Sequence, residues 1–279
     1  MKIENLFKIT VTTIGLSILF TACQDSNDAV NSQAIATADV QIEAEANNIT
    51  DDVLVMVDET YAQQEFANKS EMDHLNRWMP DCATVTQVVT NTTKDITIDF
   101  GSACVLKNGN TVSGKILMHY VSDPVALTRS INVSFDNFYN NQRKIEGQHT
   151  ILRELSNSNG NPQATNTESI TITWPDGTVA SKNGTKIHEL IAGSDTMVWG
   201  DDVLSITGNW TFTRKNGSVH TTTITTALRK ELACRFIVSG VVSLENNGQT
   251  AVLNYGDGSC DDLATLTKDG VDEIIHLRK

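Results

Sequence analysis

The chain lacks a basic surface, a membrane-spanning apolar run and the common catalytic signatures, and each absence excludes a class of function. Lys and Arg number 21 against 34 Asp and Glu. Removing Lys2, Lys8 and Glu4 with an N-terminal signal leaves 19 against 33, a formal charge of −14. A basic face for nucleic acid is therefore missing, and the acidity reads as the ordinary solubility state of an exported protein. The longest apolar run, Ile9 to Phe20, is 12 residues, short of the roughly 20 that cross a bilayer as a helix. No nucleophile elbow, phosphate loop, dinucleotide fingerprint or His-Glu-x-x-His phrase occurs. His188-Glu189 begins the last of these, but Ala192 stands where the second His is required.

What is present begins with an address. Residues 1–22 carry Lys2 and Lys8, then the apolar run, then Thr21-Ala22 ahead of Cys23, which is the layout of a secretory signal. Leu19-Phe20-Thr21-Ala22-Cys23 resembles the lipobox of bacterial lipoproteins, with Phe20 where Leu is commoner. The resemblance implies that Cys23 is lipidated, palmitate included, and that the protein is lipid-anchored in the outer membrane, facing the surface or the periplasm. Cysteine count agrees: there are five, and an odd number leaves a reactive thiol in an oxidising compartment unless one is consumed. The 25 residues from Gln24 to Asn48 hold five acids (Asp25, Asp28, Asp39, Glu43, Glu45) and no Lys or Arg. They predict a disordered acidic tether over 23–48, with a reach of at most about 80 Å. Its first residues, Gln24-Asp25-Ser26-Asn27-Asp28, resemble the acidic export tags of Bacteroidetes surface lipoproteins.

Thr50 reads as an N-cap, with Asp51 and Asp52 in the first turn and Val53, Val57 and Tyr61 at helical spacing, which predicts a helix over 50–66. A second short helix is expected from Ser70, with Met72, Leu75 and Met79 on one face until Pro80 ends it. A helical segment over 49–79 thus precedes a β-rich domain over 80–279. There, apolar residues alternate in Ile96-Ile98-Phe100, Ile131-Val133-Phe135, Ile170-Ile172-Trp174 and from Leu204 through Phe212. The 34 threonines suit a pleated, half-exposed surface. Eight Asn-Gly or Asp-Gly pairs, at 108, 159, 176, 183, 216, 247, 257 and 269, mark hairpin turns. The expected fold is all-β, an antiparallel meander of about 10–13 strands, either a sandwich or one long curled sheet, with a split into two subdomains near 156–165 left open.

Cys82 and Cys104 bracket one strand-turn-strand segment, and Cys234 and Cys260 another. Similar phrases precede the second member of each pair, Asp99 to Cys104 and Asn254 to Cys260, so local pairing is the best of three connectivities. Four thiolates could hold zinc, but no Cys-x-x-Cys pair exists and the compartment is oxidising. Lys-Asn-Gly recurs at 107–109, 182–184 and 215–217, each read as entering a strand. Together with Phe135-Asp136-Asn137-Phe138-Tyr139 and Lys144-Ile145-Glu146-Gly147, these phrases resemble a family of uncharacterised Bacteroidetes lipoproteins, which implies no activity and supplies no catalytic residue.

The remaining candidates are few. His119, His149, His188, His220 and His276 fall in or beside strands that pairing could bring together, or they are scattered strand residues. Asp51-Asp52, Asp201-Asp202 and Asp261-Asp262 have no EF-hand frame for calcium. Trp174 and Trp199 each precede a turn, where an indole presents a flat face to a sugar or partner protein, or closes the end of the core. Asp195-Thr196-Met197 resembles the Bacteroidetes O-glycosylation tripeptide, with Thr196 the acceptor. No cofactor or metal is implied. The leading expectation is a non-catalytic binding or structural lipoprotein with a glycan or protein partner. The alternatives are a polymer hydrolase with two carboxylates across a cleft and a carrier of hydrophobic ligands.

Overall fold

The computed structural model describes residues 35–66, 79–121, 128–196, 199–234 and 236–277. The signal, Cys23, the first part of the expected tether and residues 70–78 of the expected second helix lie outside the described residues.

One helix, α1 (Thr37–Phe66), is 30 residues and about 45 Å long. It starts well before Thr50, so residues 37–48 are helix and the tether expected through residue 48 is corrected. Thr50 is an interior residue whose hydroxyl donates to the Asn47 carbonyl at 3.0 Å, a local bond helices tolerate. The composition argument failed because it counted only what this segment could bury by itself. Its acids find distant partners: Asp39 meets Arg214 and Ser218, Glu43 meets Trp210, His220 and Thr222, and Glu45 meets Arg143 and Trp174.

The strands are β1 (Thr84–Val89), β2 (Thr93–Asp99), β3 (Cys104–Val105), β4 (Thr111–Val121), β5 (Thr128–Asn140), β6 (Arg143–Glu154) and β7 (Gln163–Thr173). They continue with β8 (Val179–Ala192), β9 (Val203–Arg214), β10 (Val219–Glu231), β11 (Ile237–Asn246), β12 (Gln249–Asp257), β13 (Leu263–Lys268) and β14 (Val271–His276). All fourteen form one antiparallel sheet in chain order, except that the two-residue β3 pairs beside β2 on β4. This is the expected all-β meander in its open, single-sheet form. The sheet runs through 156–165 without a break, since β6 and β7 pair from Lys144↔Thr173 to Glu154↔Gln163. Ser32–Lys279 is accordingly one unit, and the split considered there is corrected.

Asn-Gly and Asp-Gly pairs turn the chain at 108, 159, 176, 216, 247 and 269. The pair at 257 lies at the end of β12, and Asn183-Gly184 lies in the middle of β8, so neither is a hairpin turn. Irregularities in pairing, such as the one between Ser113 and Lys115 on β4, add local twist that curls a sheet. Gly114 is required there: its φ is +80°, and a Cβ would lie 1.9 Å from the Asn137 carbonyl oxygen.

The inner face of the curled sheet packs against α1. The helix's fully buried positions, among them Asp39, Glu43, Ala46, Thr50, Val53, Val57 and Thr60, recur every three to four residues and form the stripe that meets the sheet, while the residues between them are half-buried. Val53, Met56 and Val57 pack with Ile98, Ile116, Ile131 and Phe138 in one cluster. Ile35 and Val40, at the helix start, pack with Leu244, Leu253 and Leu266 in a second. Disulfides Cys82–Cys104 and Cys234–Cys260, with Cα separations of 5.6 and 5.8 Å, tie β3 to the chain ahead of β1 and the β10–β11 turn to the β12–β13 loop. Each closes a loop that stabilises by about 3 kcal/mol in the chain-entropy model.

Candidate functional site

Titratable side chains concentrate where α1 crosses the middle of the sheet. Register aligns His149, Glu168, Gly184, Trp210 and Thr222 as neighbours on β6 to β10. All face inward, with the buried Ile145, Ile151, Ile170 and Ile172 of the same strands. Gly184 makes this possible, because a Cβ there would lie 2.3 Å from the Trp210 Cβ. Lys182 and Lys186 flank it on β8, and their ammonium groups lie 4.8 and 5.7 Å from the centre of the Trp210 ring, within cation–π range.

Two helix carboxylates complete the cluster. Glu43 accepts from Trp210 Nε1, His220 Nε2 and, at 2.7 Å, Thr222 Oγ1. Asp51 accepts from Lys186 Nζ at 3.0 Å. Deeper in, Lys182 Nζ is 2.5 Å from Glu168 Oε1, and His149 Nε2 is 3.6 Å from Glu168 Oε2. These three side chains are 1 %, 4 % and 1 % exposed. Neither contact has hydrogen-bond geometry, and Lys182 Nζ, both Glu168 oxygens and both His149 nitrogens are buried without a hydrogen-bond partner.

Burial and charge compete in this cluster. Burial pulls Lys182 down to about 8, against the attraction of Glu168. Burial opposes ionisation of Glu168, yet Lys182 and Lys186 hold its pKa below the usual value. Asp51 comes down to about 2, because Lys186, with His188 and Lys182, outweighs the burial that would raise it. Burial brings His149 and His188 to about 4, so both rings are neutral near pH 7. Lys186 alone is raised, the pull of Asp51 and Glu168 overcoming its burial.

Beside Asp51 and Lys186 is a cavity of about 50 Å³ bordered by Asn47, Tyr255, Ile206 and Leu228. That volume suits a water or two, against the ~300–1,000 Å³ of a small-molecule pocket. The inner face of the sheet that a hydrophobic cargo could line is covered by α1.

Other sequence candidates are dispersed. His119 pairs with Asp95 at 2.7 Å and His276 with Asp262 at 2.9 Å, both exposed. Glu189 accepts three amides, from Asn157, Asn159 and Asn161. Asp52 is held by Asn108 and Asn110. No group of three His, Cys, Asp or Glu suited to a metal occurs among the described residues. Trp174 is not a surface aromatic: it is 8 % exposed, and its Nε1 donates to Glu45 at 2.9 Å. Its indole closes the core where β7 ends, with the helix carboxylate satisfying its polar edge. Trp199 begins a short 3₁₀ turn, Trp199–Asp201, and its side chain lies outside the described ones. Thr196 is exposed, with its hydroxyl 2.9 Å from Asp201 Oδ1. Burial and Asp201 raise Asp202 to about 6.

Lys182, Lys186 and Glu168 escaped sequence reasoning. The signal that could have found them is strand parity: Glu168 is in phase with Ile170 and Ile172, and Lys182 and Lys186 with Ala180. Lys-Asn-Gly was instead read as a turn.

On the opposite face, register sets Asn132, Thr150, Thr167, Thr185, Asn209, Thr223 and Ser243 in one row across β5 to β11. Thr150 donates to Asn132, and Thr167 bonds Thr185. No described helix is long and apolar enough to cross a membrane. No family model, no curated protein and no solved structure matches this chain.

Proposed function

We propose that the chain is a lipid-anchored protein of the bacterial cell envelope, of the Bacteroidetes type its lipobox and turn phrases resemble, and that it is a non-catalytic binding or structural module. The observation that carries this reading is the packing of α1 along the sheet's inner face. That face is covered by the protein's own helix, and Glu43, Asp51, Lys186 and His220 are paired between helix and sheet. What remains for a partner is the outer face, whose cross-strand rows of Thr, Asn and Ser offer neutral donors and acceptors suited to a glycan or to a protein surface. Cys23 supplies the attachment to the bilayer, in the outer membrane.

The test has two parts. Radiolabelled palmitate is expected to label the wild-type protein and not Cys23→Ser. On a glycan array or in capture from intact envelopes, binding is expected to fall when Thr167 and Thr185 are replaced together by Lys, which leaves the interior untouched. A protein that hydrolyses envelope polymers, or that binds equally well after those replacements, would refute the module reading.

A further inference from the structure

We propose that Lys182 and Glu168 are the partners of an autocatalytic isopeptide bond, joining β7 to β8 through a side-chain amide.

Four observations carry it. The amine and the carboxylate are in contact at 2.5 Å and almost wholly buried. The contact lacks hydrogen-bond geometry, so the amine does not approach as a donor along an oxygen lone pair. Neither charged group has another hydrogen bond, whereas a buried ion pair repays its desolvation only when its remaining lone pairs and protons are satisfied. An amide removes both charges and most of that unmet demand. Finally, His149 stands at the second carboxylate oxygen with both ring nitrogens unpartnered, and the Trp210 ring closes the amine in. Glu168 is opposite Gly184 and Lys182 is opposite Ile170. The two are thus diagonal neighbours, about 7–8 Å apart at the backbone, within the joint reach of these long side chains.

The chemistry balances within the cluster. Proton transfer from Lys182 to Glu168 turns the ion pair into a neutral amine and a carboxylic acid, an uphill step that the burial of the lysine eases and the lysine charges beside Glu168 oppose. The Nζ lone pair attacks Cδ, the Nζ–Cδ bond forms, and the carbonyl electron pair moves to oxygen. Neutral His149 takes a proton from Nζ and returns one to the departing hydroxyl. The Cδ–O bond then breaks, the carbonyl re-forms and one water leaves. One amine and one acid give one secondary amide and one water, with no change of oxidation state and no co-reactant. Fixed contact supplies the drive, since intramolecular reactions of well-oriented groups reach effective molarities of order 10⁵–10⁸ M.

The bond is tested by mass spectrometry of the purified full-length protein, reduced and denatured, followed by proteolytic mapping. The expected result is a mass lower by one water than the sequence and its lipid require, with a branched peptide joining residues 168 and 182. Lys182→Arg keeps the positive charge but cannot be acylated, and is expected to restore the full mass. His149→Phe fills the same space without a proton carrier and is expected to slow linkage in the folded protein by about a hundredfold or more. A purely structural histidine would leave the linkage rate of folded molecules unchanged, which would overturn its role as proton carrier. Linear peptides with free Lys182 and Glu168 in the wild type would overturn the proposal, leaving a salt bridge only. So would a branch mapped to Lys186 and Asp51.

Discussion

Replacing Glu43 by Ala tests how firmly the acidic N-terminal segment is built into the fold. In the structure its carboxylate is 3 % exposed and meets three buried donors, Trp210 Nε1, His220 Nε2 and Thr222 Oγ1. Truncation leaves all three without an acceptor. Each orphaned buried group costs about 1–3 kcal/mol, and breaking one partner of a buried charged network costs about 3–5 kcal/mol. Water entering the space left by the side chain recovers part of this, so the expected loss is about 4 kcal/mol. That is a large share of the ~5–15 kcal/mol that holds a folded protein together. Urea unfolding followed by tryptophan fluorescence reads it directly, because Trp210 reports on the same contact. The midpoint should fall with little change in slope. A loss under about 0.5 kcal/mol, the usual effect of a surface substitution, would refute the docking of this segment and restore the disordered tether.

Other perturbations have defined outcomes. Cys23→Ser should abolish lipid labelling and release the protein from the membrane, while non-reducing gels still show both disulfides. Gly184→Ala places a Cβ 2.3 Å from that of Trp210 and should destabilise by about 1–3 kcal/mol, the range for overpacking, read as a lower melting temperature. His149 faces Glu168, Lys182, Lys186 and Asp51, and burial lowers it from 6.5 to about 4. The unfolded chain therefore takes up its proton first as pH falls. Stability is fully present above about pH 6.5 and is lost progressively toward pH 4, by about 3 kcal/mol from this residue. Burial, the largest cause, persists whether or not Lys182 and Glu168 are linked. Denaturant titrations at stepped pH should show that loss, and His149→Phe should remove this residue's share of it while the share of His188, also lowered to about 4, remains.

Much of the sheet was legible because strand periodicity and turn chemistry are local. Ile96-Ile98-Phe100 and Ile170-Ile172 alternate as one-face-buried strands do, and Asn216-Gly217 and Asp269-Gly270 turn where such pairs turn. The cysteine pairs were legible from matching phrases at short separation. The helix start was not, since Asp39, Glu43 and Glu45 are ordered by Arg143, Trp174, Trp210, Arg214 and His220, residues about a hundred or more positions away. Nor was the interior cluster. On β8 the inward positions are Ala180, Lys182, Gly184 and Lys186, which break apolar alternation because Trp210 and the helix acids supply what they face. Gly184 is in mid-strand for the close approach of Trp210, a reason that no turn rule detects.

The most direct measurement is amide hydrogen exchange across residues 39–64, followed by mass spectrometry on the folded protein. If the helix is docked along the sheet's inner face over its whole length, these amides should exchange only with global unfolding, as slowly as those of β6 to β9, with no separate opening over residues 39–48. Exchange of this segment at the rate of an unstructured peptide, with the sheet still protected, would contradict the docked helix and open the sheet's inner face to ligand or substrate.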